Sequence, residues 1–173
     1  MKYMIIGGVA GGASTAARLR RLDEQAEIIL FEKGEYISYA NCGLPYYIGG
    51  VIEERERLFV QTPESFKARF NIEVRIKSEV KAIEPENKQV VIKDWATGKT
   101  YRESFDKLVL SPGAEPVLPP WEGIRTEGIF TLRNVADTDR IKAWAGRQEV
   151  KKAVVVGAGF IGLEMAENLH ELG

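Results

Sequence analysis

A single thiol stands in this chain of 173 residues: Cys42, within Ser38-Tyr39-Ala40-Asn41-Cys42-Gly43-Leu44-Pro45. A lone cysteine is by default a small buried hydrophobe, so its neighbours decide whether it does chemistry. Asn41 stands where it would cap a helix that begins at Cys42. Pro45 then falls in the first turn, and Gly49-Gly50 ends the helix. A thiol at that end faces unpaired N–H groups and the positive end of the helix dipole, a setting that favours the thiolate. No second cysteine offers an internal pair, and Tyr47 occupies the position of a C-x-x-x-x-C partner. Two redox routes remain open, a sulfenic acid or a mixed disulfide with an external thiol.

Glycine patterns frame this segment. Residues 3–6 form an apolar run that breaks into Gly7-Gly8-Val9-Ala10-Gly11-Gly12. "ASTAARLRRL" then reads as a helix, and "AEIILFEK" as a buried strand ending at Glu32. Strand, tight turn, helix, parallel strand and acid make the context of a dinucleotide fingerprint. Gly7 permits the turn, Gly12 lets the helix close on the strand, and the helix amino terminus suits a pyrophosphate while Glu32 suits ribose hydroxyls. Val9 departs from the strict pattern at its middle glycine. Near the end, "KAVVVGAGFIGLEMAENLHELG" repeats the grammar, with a strand expected over Ala153–Val156 and Gly157, Gly159 and Gly162 in strict G-x-G-x-x-G order. It stops before a second strand and its acid, so the expectation is a fragment cut inside a second dinucleotide-binding domain. His170 lies in the terminal helix with no motif around it.

Between the fingerprints, "NIEVRIK", "SEVKAIEP", "KQVVIKDW" and "KTYRESF" alternate with period two and are separated by Pro85-Glu86-Asn87 and Thr97-Gly98-Lys99, which predicts an antiparallel meander over about 72–105. "FDKLVLSPGAEP" is a strand running into a small-residue turn at Ser111-Pro112-Gly113. A further strand is expected over Ile129–Leu132, and a helix from Val135 to about Ala145. The fold class is therefore α/β: a Rossmann-like domain over 1–149 with a parallel sheet and inserted meander, and the start of a second such domain over 150–173. With 24 basic and 25 acidic residues, no overall field recruits nucleic acid or an anionic membrane. The glycine-rich start is too short for a membrane span or signal peptide, and one cysteine cannot form an internal disulfide, so the expected location is cytoplasmic.

The two fingerprints, "LVLSPGAEP" and above all "SYANCGLPYYIGG" resemble the amino-terminal third of the single-cysteine, FAD-dependent pyridine nucleotide-disulfide oxidoreductases. The nearest branch is the coenzyme A-disulfide reductases, also called persulfide or polysulfide reductases. The resemblance implies FAD at the first fingerprint, NAD(P)H at the second (Gly157, Gly159, Gly162), and Cys42 as the redox nucleophile of a homodimeric enzyme completed by further chain. It implies that Gly7, Gly12 and Glu32 hold the ADP half of FAD, with Gly8, Ala10, Gly11 and Lys33 among the cofactor-binding residues. Val80 would meet the adenine through its backbone, and Ser111, Pro112 and Gly113 would line the cofactor. Ser38 and Asn41 would contact coenzyme A. Independently, Ser14, Arg18 and Arg21 form one polar stripe on the first helix. The matching family positions contact coenzyme A, whose phosphates suit two arginines. A further basic contact falls on Phe70, so Lys67 or Arg69 would have to substitute. The rival within enzymes is an NADH oxidase or peroxidase cycling Cys42 through a sulfenate; outside enzymes, it is a flavin-binding module without turnover.

Overall fold

The computed structural model describes residues 1–173, whose contacts divide the chain into two compact units: 1–39 with 59–113, and 40–58 with 114–173. The division falls elsewhere than the boundary at 149/150 expected from the sequence.

The first unit is built on a four-stranded parallel sheet. Strand β1 (Lys2–Ile6) leads through helix α1 (Ala10–Leu22) to β2 (Glu27–Phe31). Four successive residues of β2, Ile28 to Phe31, are buried, as expected of a parallel strand covered on both faces. Ile28 and Leu30 join the core cluster that holds Ala13 and Ala16 of α1, whereas Ile29 and Phe31 join Met4, Val90 and Ile92 in another. Gly12, Ala13 and Ala16 form the buried stripe of α1, so small side chains set its close approach.

After residues 40–58 the chain returns to this unit through helix α3 (Pro63–Phe70), which no motif in the sequence announces. Its signals are nevertheless present: Thr62 and Ser65 form a reciprocal capping box, Pro63 opens the first turn, and Asn71 ends the helix in the left-handed region at φ 49°. Arg20 of α1 ties the two helices together, donating from Nε to the Phe70 carbonyl at 2.8 Å and from Nη2 to the Asn71 carbonyl at 2.9 Å.

Strand β3 (Glu73–Arg75) corrects the meander's boundary: it pairs with β2 in parallel and so extends the first sheet. Its alternation resembles that of the next runs, but its partner is parallel, and alternation alone does not name a partner. The meander proper comprises β4 (Ser78–Glu84), β5 (Gln89–Asp94) and β6 (Thr100–Ser104), with Val90 and Ile92 fully buried. Strand β7 (Lys107–Leu110) then completes the parallel sheet in the order β3-β2-β1-β7.

The second unit is helical. A single 3₁₀ turn (Asn41–Gly43) precedes α2 (Leu44–Ile48), which packs against α4 (Val135–Ala145) and α5 (Phe160–Glu171). Helix α4 matches its expected range and starts with a capping box between Asn134 and Asp137. Two expected strands do not form. Over Ile129–Leu132, Phe130 stacks edge-on against Trp144 at 5.7 Å, so this apolar run faces a helix rather than a strand. Over Ala153–Val156 no strand pairs with the backbone, and Val154 and Val156 are 88% and 79% exposed. Without a ladder partner, an apolar β-prone run has nothing to make it a strand.

Candidate functional site

At the first glycine turn the backbone leaves no room for side chains. Gly7 has φ 97°, and a Cβ there would lie 1.9 Å from the Ser111 carbonyl oxygen; one on Gly12 would lie 1.7 Å from the Gly7 carbonyl oxygen. Both positions therefore demand glycine, which keeps α1 tight against the end of β1. The first amides of α1 have no side-chain cap, and no acid occupies its first turn. Such an end is open to an anion. Glu32 is buried directly after β2, and its carboxylate accepts the Gly8 N–H and the Gly34 N–H, each at 2.8 Å. Each oxygen retains a lone pair that a hydroxyl can use. Lys33 is exposed beside it. Val80 is half-buried in β4 at a bulge that shifts register between Val80 and Ala82. Ser111, Pro112 and Gly113 continue β7, with Gly113 at φ 73° and the Ser111 N–H bonded to Ile6 O at 2.8 Å.

Beside this turn, within the same unit, lies an open cavity of about 390 Å³. Ser14 and Arg21 of α1 line it together with Val9, Ala10, Ser38 and Tyr39, and its apolar wall comes from Val60, Phe66 and Phe70. Arg21 is its one charged lining residue, and no carboxylate faces it. Arg18 is not among the lining residues, although it is exposed on the same stripe of α1. Arg20 spends its donors on backbone carbonyls; Arg18 and Arg21 make no such bonds and keep their charge available. Ser38 has the uncommon φ of 46°. Its N–H donates to Gly8 O at 2.9 Å and its carbonyl accepts from Val60 N at 2.8 Å, so the glycine turn itself fixes this strained residue. Lys67 and Arg69 do not line the cavity; Arg69 lies over the Phe70 ring at 5.1 Å.

In the other unit Cys42 is exposed, in the middle of the 3₁₀ turn. The helix start differs from that expected. Ala40 is the residue before the turn and Asn41 makes no capping hydrogen bond; its Oδ1 is buried without a partner. The reason is local geometry: Asn41 is already inside the tight turn, whereas a capping side chain must precede it. Pro45 does fall in the first turn of α2, and Gly49 and Gly50 follow its end. In the last glycine motif, Gly157 has φ 111°, Gly159 caps α5, and a Cβ on Gly162 would meet the Gly157 carbonyl oxygen at 2.0 Å.

A family profile described as pyridine nucleotide-disulphide oxidoreductase matches residues 1–173. The chain belongs to that family. Among curated relatives, it is 45% identical over 172 residues to coenzyme A disulfide reductase of Staphylococcus aureus (strain JH9), covering 99% of this chain and 39% of that protein. Among solved structures, reduced CoADR-RHD of Bacillus anthracis matches at 58% identity with a TM-score of 0.96, over 98% of this chain and 31% of that one. An NAD-dependent persulfide reductase from A. fulgidus matches at 39% with a TM-score of 0.94, over 99% and 32%. Water-forming NADH oxidase from Lactobacillus brevis, bound to NADH, matches at 30% with a TM-score of 0.94, over 100% and 38%. This member of the pyridine nucleotide-disulphide oxidoreductases thus spans about two fifths of the length of its curated relatives. No helix is long and apolar enough to cross a membrane.

The family member's cavity also shows what motif reading missed. Tyr39, Val60, Gln61 and Phe66 contribute to it, and all but Tyr39 arrive from beyond residue 58. The Thr62–Ser65 capping box is the available signal that a helix starts there.

Proposed function

We propose that the protein carrying this chain is a cytoplasmic, homodimeric NAD(P)H oxidoreductase that uses FAD and reduces coenzyme A disulfide, or the related persulfide or polysulfide, at Cys42. The observation that carries the reading is the cavity where Ser14, Arg21 and Ser38 converge, four residues along the chain from the one thiol. The names of the Staphylococcus aureus and A. fulgidus relatives support a disulfide or persulfide acceptor.

FAD fits the tight glycine cradle, the uncapped start of α1 and Glu32. When bound, FAD supplies two-electron transfer between NAD(P)H and the disulfide. Gly7, Gly8, Ala10, Gly11, Gly12, Glu32 and Lys33 would hold its ADP half, the Val80 backbone its adenine, and Ser111, Pro112 and Gly113 would line it. Gly157, Gly159 and Gly162 would take the pyrophosphate of NAD(P)H. Arg18 and Arg21 anchor coenzyme A phosphates, with Ser14, Ser38 and Asn41 donating or accepting along the chain. The Cys42 thiolate attacks one sulfur of coenzyme A disulfide: an S–S bond forms to Cys42, the substrate S–S bond breaks, and one coenzyme A leaves as thiolate and takes a proton. Two electrons from NAD(P)H then cleave the mixed disulfide, releasing the second coenzyme A and restoring the Cys42 thiolate. The sum is one NAD(P)H and one proton consumed per disulfide, with two thiols formed.

The Lactobacillus brevis oxidase favours one other reading, in which Cys42 cycles through a sulfenate and oxygen or peroxide is the acceptor. Steady-state kinetics with coenzyme A disulfide separate the two. Arg18→Gln with Arg21→Gln should raise KM for the disulfide about a hundredfold, since each charge-assisted contact is worth about 1.4 kcal/mol or more, with KM for NAD(P)H within about twofold. NAD(P)H oxidation that proceeds with oxygen and is indifferent to coenzyme A disulfide would replace this reading with the oxidase.

A further inference from the structure

The segment that carries Cys42 is too short to hold itself in place. A 3₁₀ turn of three residues followed by a helix of five has little intrinsic stability, because nucleating a helix costs more than one turn of hydrogen bonds returns. What fixes it must come from elsewhere in its unit, and two polar ties from α4 reach it. Lys142 donates from Nζ to the Tyr47 carbonyl, with the Ile48 carbonyl at 3.5 Å, and its ammonium lies 4.4 Å from the centre of the Tyr47 ring. A cation on the last carbonyls of a helix usually comes from that helix; here it comes from a residue 95 positions further on. One turn earlier on α4, Asp139 receives a bidentate grip from Arg55, Nε at 2.9 Å to Oδ1 and Nη2 at 2.8 Å to Oδ2. Arg55 belongs to the same 40–58 stretch as the thiol.

We infer that Lys142 and Asp139 of α4 are positioning residues for the Cys42 thiol: together they clamp the redox segment at the carboxyl end of its helix and at Arg55. The inference rests on the reading of Cys42 as the redox thiol. Neither residue touches the reacting sulfur. Loss of a tie lets the short helix shift, which costs the thiol its attack geometry and leaves dinucleotide binding as it was.

The test uses the purified holoprotein with Lys142→Met, Asp139→Asn and the conservative Lys142→Arg. Three readouts are taken: coenzyme A disulfide reduction, NAD(P)H oxidation with ferricyanide, which needs no thiol, and the pH profile of Cys42 alkylation by iodoacetamide, followed by intact mass. Lys142→Met is expected to lower kcat for the disulfide about tenfold, with KM and the ferricyanide rate within about twofold, and to shift the alkylation profile. Lys142→Arg should restore most of the loss, and Asp139→Asn should give a smaller loss of the same kind. An unchanged kcat and alkylation profile in both variants would overturn the clamp, as would parallel loss of the disulfide and ferricyanide activities, which marks a general folding defect. If the unsubstituted protein reduces ferricyanide but no coenzyme A disulfide, the proposed function fails instead, and the alkylation profiles alone decide the clamp. A profile that shifts in Lys142→Met and returns in Lys142→Arg supports it; identical profiles overturn it.

Discussion

The turns at Gly7–Gly12 and Gly157–Gly162 have nearly the same backbone and different support. In both, the first glycine has a left-handed φ, 97° and 111°, and the last glycine sits where a Cβ would strike the carbonyl of the first, at 1.7 Å and 2.0 Å. Behind Gly7, however, β1 pairs with β2 and β7, and Met4 and Ile5 are fully buried. Behind Gly157 the valines are unpaired and open, and a Cβ added at Gly157 would meet nothing within 4 Å. The glycines encode the turn locally, whereas the strand exists only where distant partners complete its ladder.

The comparison predicts unequal consequences for matched substitutions. Gly12→Val should cost about 4 kcal/mol in urea titration, because the Gly7 carbonyl it meets is locked between strands, while Gly162→Val should cost under about 1 kcal/mol because the unpacked Gly157 turn can yield. Equal losses would mean that the second turn is as firmly held as the first. Leu30→Ala, at a fully buried position, should cost about 3 kcal/mol; Val154→Ala, at an exposed one, should stay within about 0.5 kcal/mol.

A smaller effect is electrostatic and confined to the first unit. Burial raises the Glu103 carboxyl, but hydrogen bonds from Lys2 at 2.6 Å and Arg75 at 2.8 Å outweigh it and hold the group below its ordinary 4.5. A depressed folded value contributes stability above the unfolded one and loses it as pH falls through the folded one. Acid titration of stability should therefore steepen below about pH 4.5, and Glu103→Gln should cost about 1 kcal/mol at pH 7 and flatten that slope. A Glu103→Gln protein with the parent's acid slope would remove this network from the account.

The first dinucleotide turn was legible because each part of it is short-range: an apolar run, glycines at fixed spacing, a helix and Glu32. Helix α4, expected from Val135 to about Ala145, is likewise a local feature, and the structure adds its Asn134 cap. Alternation at Glu73–Arg75 points to the meander because it carries no partner, whereas the strand joins the parallel sheet, and the runs at 129–132 and 153–156 are apolar but have no ladder to join. Asn41 has the residue type of a cap, but the turn already begins at that residue. Of the candidate site, the stripe of Ser14 and Arg21 and the position of Ser38 came from spacing and resemblance. The wall from Val60 to Phe70 depends on α3 folding back on α1, which no local pattern specifies.

Intact mass of the purified protein prepared without reductant, before and after dithiothreitol and beside Cys42→Ser, tests the central proposal most directly. The expected result is an adduct of coenzyme A mass that dithiothreitol removes and Cys42→Ser never carries. A reversible one-oxygen adduct on Cys42 in its place would contradict the mixed disulfide and make the thiol a sulfenate.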